Sequence, residues 1–191
     1  MRSLPDLKSR FTFKFAIAAL AAIALSGCLV SEVPVLTADN GSKPPLDNGP
    51  YQSCALAEDG TVDDCEIITV ARQNDVAMLA SSDDGQDPTE MRFRRIKRKS
   101  YVAQIRESDG YAYYYAAGNA DRLVLTMMEC PDLPEELRDK LIDNGDLSTS
   151  DDDFEFCTVV TLKGLTEVGR AYANRKTLNA SPLSLVLTAQ K

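Results

Sequence analysis

The side chains available for chemistry are mostly carboxylates. The chain contains no histidine, which removes the most frequent general base near neutral pH and with it any serine–histidine arrangement. Glu66, Glu90, Glu107 and Glu129 stand near the ends of expected strands, and two carboxylates at the right separation can hydrolyse a glycoside. Nothing in their spacing pairs any two of them, so a solvated acidic surface is the expectation. Asn144, Asp146, Ser148, Ser150, Asp152 and Glu155 fall on positions 1, 3, 5, 7, 9 and 12 of a calcium-loop register. The sixth position, which needs glycine, is Thr149, so a flexible acidic loop is expected there. No catalytic residue, metal or cofactor is expected, and the chain is read as a non-enzyme.

Six positive charges, Arg92, Arg94, Arg95, Lys97, Arg98 and Lys99, fall within eight residues. Guanidinium forks match phosphate and carboxylate geometry, so this run is the candidate contact for lipopolysaccharide phosphates or other anionic envelope polymers. The competing and favoured expectation is that it pairs with Asp63-Asp64, Asp83-Asp84 and Asp151-Asp152-Asp153 of its own domain while protecting an edge strand. Tyr111, Tyr113 and Tyr115 share one side of a strand. They either fill a core or line a groove that stacks on rings, and core packing is the commoner outcome.

Behind these residues stands an N-terminal segment of a different kind. Arg2, Lys8, Arg10 and Lys14 precede an apolar run of 11 residues, Phe15 to Leu25, and then Ser26 and Gly27. This is the grammar of a secretory signal, and the run is shorter than the ~20 residues that span a bilayer. Leu25-Ser26-Gly27-Cys28 resembles the lipobox of bacterial lipoproteins. The resemblance implies cleavage before Cys28, diacylglycerol on its sulfur and an acyl group on its new amino terminus. It also implies the outer membrane, facing the periplasm, because Leu29 rather than aspartate follows the cysteine. Several buried acyl chains, at roughly 0.8 kcal/mol per methylene, make a durable anchor.

Cleavage would remove four basic residues and Asp6, a net of +3, taking the net charge from −8 to −11. Such a field disfavours nucleic acid as a partner and favours basic proteins or cations. In an oxidising compartment, Cys54, Cys65, Cys130 and Cys157 form two disulfides by default. Cys54 with Cys65 and Cys130 with Cys157 are favoured, since each pair brackets one local segment. A zinc site lacks both histidine and a Cys-x-x-Cys spacing.

Residues 28–48, with Pro34, Pro44, Pro45 and Gly41 and no hydrophobic period, are expected as a flexible tether spanning about 25 Å. Residues 49–191 make a single disulfide-braced domain. A hairpin is expected over Glu66–Val70 and Val76–Ala80, an alternating stretch over Met91–Arg106, a turn at Asp109-Gly110, and a strand over Leu123–Met128 that pairs with the tyrosine strand. Helices are expected over Pro134–Ile142 and around Leu162, Leu165, Val168 and Tyr172, and an edge strand or coil over Leu183–Leu187. The fold class is α+β, mainly an antiparallel meander forming a small barrel or twisted sheet, with two short helices in the C-terminal third.

Gly49-Pro50-Tyr51, Tyr101-Val102-Ala103-Gln104 and the tyrosine strand before a cysteine resemble small uncharacterised envelope lipoproteins of alpha-proteobacteria, a resemblance of general plan that implies no activity. The expected role is a membrane-anchored, non-enzymatic binding or structural module of the envelope with a protein or glycan partner. The alternatives are an inhibitor of a basic enzyme such as lysozyme, drawn by charge, and a lipocalin-like carrier of an apolar ligand.

Overall fold

The computed structural model describes residues 28–57, 59–81, 87–149, 157–174 and 184–190; the expected signal, residues 1–27, lies outside them. Within them, strands β1 (Leu29–Ser31), β2 (Gly49–Leu56), β3 (Val62–Gln73), β4 (Val76–Ser81), β5 (Thr89–Lys97), β6 (Ser100–Glu107), β7 (Gly110–Gly118) and β8 (Arg122–Met127) precede helix α1 (Glu135–Asp143). Strands β9 (Leu147–Thr149) and β10 (Cys157–Val159), helix α2 (Leu162–Asn174) and strand β11 (Ser184–Ala189) complete the order.

Eight strands close into an antiparallel barrel in the order β6-β5-β4-β3-β2-β11-β8-β7, with β7 returning to β6. The meander follows from the turns. Asn74 and Lys99 take left-handed backbone angles, φ 56° and 60°, at the tips of the β3–β4 and β5–β6 hairpins. The expected long stretch over Met91–Arg106 is therefore two strands, folded back at Arg98-Lys99. Strand β11, expected at an edge, is instead the closing stave between β2 and β8. Leu185 and Leu187 point inward among the barrel's apolar residues, so it is buried where an edge would be wet.

Side-chain alternation sorts the barrel into two cores. Inside lie Tyr51, Ile68, Val70, Met91, Phe93, Tyr101, Tyr114, Leu123, Leu125 and Leu187. Outside, over β6 and β7, a second core joins Val102, Tyr113 and Tyr115 to Leu141 of α1 and to Leu165, Val168 and Tyr172 of α2. Helix α1 begins after Pro134 with Glu135 and Glu136 in its first turn and Lys140 in its last, charges that oppose its dipole correctly. Helix α2 lies so close to the barrel that a Cβ on Gly169 would stand 2.3 Å from Val102 Cγ2. Only glycine fits that crossing.

Residues 28–48 are not a tether. Leu29, Leu36 and Leu46 are fully buried, and β1 pairs antiparallel with β7 and parallel with β10. The segment runs down the outside of β6 and β7, held where Gln104 Oε1 accepts from the Val35 and Leu36 N–H groups at 2.9 and 2.7 Å and its Nε2 donates to the Leu36 carbonyl at 3.1 Å. It then crosses one end of the barrel, where the Ser42 N–H donates to the Phe93 carbonyl at 2.6 Å and Leu46 joins Tyr51, Phe93 and Tyr101 in the inner core. A proline-rich sequence without a period satisfied the criteria for a linker, yet three widely spaced leucines and one glutamine on the barrel fix it in place.

Candidate functional site

The antiparallel order gives the barrel two unlike ends. At one end lie the β3–β4, β5–β6 and β7–β8 turns and the plug of Leu46. At the other lie the C-terminal ends of β2, β4, β6 and β8 and the N-terminal ends of β3, β5, β7 and β11. This second end opens into a cavity of about 160 Å³. An eight-stranded barrel is just wide enough to be filled by side chains or to hold one small ligand, and this one does both: aromatic residues fill the plugged half, while aliphatic residues leave space in the other.

Ile68, Leu79, Met91, Ile105, Tyr114, Leu125, Leu185 and Leu187 form the apolar wall. Ser53, Glu66, Ser81, Thr89, Asp87 and Glu107 surround the mouth. Glu66 and Glu107 have the inward parity of their strands, since Glu66 precedes Ile68 by two and Glu107 follows Ile105 by two, and Asp87 lies at the rim just before β5. Arg106 also borders the cavity, but it shares parity with Gln104 and Val102, which face the outer core. Among the described residues the mouth thus carries three carboxylates, and Arg106, the cation that borders it, has outward parity. Crowding by the surrounding protein pushes the Glu107 carboxyl above its ordinary value.

Cys28 sits at this same end. It forms a bridge with Glu129, just past β8, and the Leu29 N–H donates to the Met128 carbonyl at 2.8 Å. Its thiol turns inward, 2.9 Å from Met127 Sδ, and is 5 % exposed. Burial pushes the thiol pKa up, with Glu129 and Glu107 adding to it. Burial likewise raises Glu129, reinforced by Asp132. The Tyr114 hydroxyl is raised strongly, again by burial first and then by Glu107 and Cys28. The Cys28 thiol and the Tyr114 phenol are therefore both neutral at neutral pH.

Of the residues singled out from the sequence, the four cysteines pair as Cys54–Cys65, with Cα atoms 4.1 Å apart, and Cys130–Cys157, at 5.6 Å. The first clips β2 to β3; the second ties the end of β8 to β10 beneath the helices. The tyrosines fill a core, though not the barrel's. Tyr113 and Tyr115 face the helical layer, with Tyr113 Oη 2.6 Å from Ser31 Oγ and its pKa lifted by burial to about 12, while Tyr114 alone points into the barrel.

The basic run does not guard an edge, because β5 is paired on both sides. Arg92 bonds Asp75 at 2.9 Å and Glu90 at 2.7 Å, neither of which was among the expected partners. Arg94 donates to the Asn40 carbonyl at 2.6 Å, and Lys97 donates to Asn174 Oδ1. Arg95 lies 5.9 Å from the Tyr101 ring, and Arg98 and Lys99 are exposed at the hairpin tip. Asp83-Asp84 and Asp151-Asp152-Asp153 lie outside the described residues.

The calcium register is broken by the fold. Asn144 caps α1, Leu147–Thr149 is strand β9, and Asp146 accepts from Thr161 Oγ1 at 2.5 Å and Lys163 Nζ at 2.7 Å. Those two donors hold its carboxyl below the ordinary range. Ser150, Asp152 and Glu155 lie outside the described residues. Sequence reading missed the cavity wall, although the parity that places Phe93, Tyr101, Ala103 and Ile105 together extends to Met91 and Glu107 and would have marked them as inward. No protein-family model matches the chain, and neither the curated proteins nor the solved structures contain a significant match to it.

Proposed function

We propose that this chain is a lipid-anchored envelope lipoprotein, tethered through Cys28 at the periplasmic face of the outer membrane, whose barrel is a non-enzymatic binding module for a small apolar molecule or the end of an apolar chain. The observation that carries this reading is the asymmetric filling of the barrel. One end is plugged by Leu46, Tyr51, Phe93 and Tyr101, and the other opens into an aliphatic cavity of about 160 Å³. An apolar cavity of about 150 Å³ accepts a benzene-sized molecule, so the space suits a ring or the terminal carbons of a single chain.

The mouth narrows the chemistry. The three carboxylates at the mouth oppose a ligand with a carboxylate or phosphate head and favour one that ends in an ammonium or a hydroxyl. The anchor rests on Leu25-Ser26-Gly27-Cys28. Native mass spectrometry of the protein purified without detergent tests the binding reading: a retained apolar adduct of low mass supports it. A bare mass, together with no uptake of an added octyl amphiphile, overturns it. Replacing Cys28 by Ser tests the anchor, with release from membranes as the expected result.

A further inference from the structure

The anchoring cysteine and the open mouth share one end of the barrel. Cys28 is bridged to Glu129 just beyond the last residue of β8, its sulfur meets Met127 at the inner end of the same strand, and Glu107 of the rim lies close enough to perturb it. From Leu29 onward the chain is fixed, since β1 is hydrogen-bonded on both sides. No spacer therefore separates the cysteine from the barrel. A lipid carried on that sulfur would have to displace its contact with Met127.

On this geometry, and resting on the anchored reading given above, we infer that the open mouth of the barrel is the face applied to the bilayer, with the cavity opening onto lipid and the basic β5–β6 hairpin pointing into the aqueous space. The surface recognised is the lipid bilayer itself. An apolar molecule dissolved in the bilayer can then enter the cavity without crossing bulk water, where exposed apolar surface is unfavourable. The orientation also separates the charges, because the Arg98-Lys99 tip stands at the plugged end. An eight-residue strand such as β6, rising ~3.3 Å per residue and tilted ~40°, puts about 20 Å of barrel between tip and mouth.

That separation is measurable. The lipidated full protein is reconstituted into phosphatidylcholine vesicles carrying a headgroup spin label, with a fluorophore on a cysteine introduced at Ser108, in the β6–β7 turn beside the mouth, or at Arg98, at the hairpin tip. Both positions are exposed. The inference expects quenching at position 108 at least threefold stronger than at position 98. Equal quenching, or stronger quenching at 98, overturns the orientation and leaves the anchor standing. A Cys28→Ser protein that remains on the vesicles overturns the anchor, and the orientation with it. Replacing a tenth of the lipid by an anionic one gives a second arm: the mouth stays down if the anchor governs, and a reversal of the two signals shows that the basic tip governs instead, against the inference.

Discussion

At the residue scale, Gln104 and two glutamates have consequences that can be measured. Gln104 is 2 % exposed and its amide satisfies two N–H groups and one carbonyl of the strap over β6. A buried polar group left without a partner costs about 1–3 kcal/mol, so Gln104→Leu is expected to lower unfolding free energy by at least about 2 kcal/mol, read by urea titration. Glu107 and Glu129 both have carboxyls raised above 4.5, each chiefly by burial. They bind protons more readily folded than unfolded, so their contribution favours folding below 4.5 and is lost as pH rises through the raised folded values. Carrying Glu107→Gln and Glu129→Gln together is expected to shrink the difference in melting temperature between pH 4.5 and pH 7. An unchanged difference would place the pH dependence elsewhere.

At the scale of elements, the strap and the second disulfide hold the outer core together. A chain beginning at Gly49 loses Leu29, Leu36 and Leu46, all fully buried, and uncovers both the outside of β7 and the plugged end. It is expected to unfold at a markedly lower temperature than the chain beginning at Cys28, and equal melting curves would restore the tether reading. Cys130→Ser with Cys157→Ser opens a link of sequence separation 27 and is expected to cost about 3–4 kcal/mol by the loop-closure relation. Strands β3, β4, β7 and β8, both helices and both cysteine pairings were legible because each rests on a local signal: period-two alternation, turn residues, helix-end charges, short bracketing loops; β5 and β6 read as one stretch, and β2 did not read as a strand. The strap was not, because its burial depends on Gln104, 68 or 69 residues away. The closing position of β11 was not either, since its partners β2 and β8 are distant in sequence and an apolar hexapeptide reads alike at an edge and in a seam. The cavity was half legible: inward parity follows from the strands, but which inward positions leave space is decided by how aromatic and aliphatic residues meet across the barrel.

At the scale of the whole molecule, the barrel is polarised. Its plugged end carries aromatic filling and a basic hairpin; its open end carries aliphatic walls, three carboxylates and Cys28. Under the proposed function this arrangement puts anchoring and binding at one end, and the cavity carries the binding half of that proposal. The chain has no tryptophan, so Leu79→Trp, at a half-buried position on the cavity wall, both fills the space and supplies a unique fluorescent reporter of correct folding. The most direct measurement is calorimetric titration of the wild-type protein and of Leu79→Trp with octylammonium and with octanoate, each below its micellar concentration. Expected are saturable one-to-one binding of octylammonium to the wild type, at least tenfold weaker binding of octanoate, and loss of both in a Leu79→Trp protein that still melts cooperatively. Binding of neither amphiphile to the wild type, or equal binding to both proteins, would contradict the proposed function.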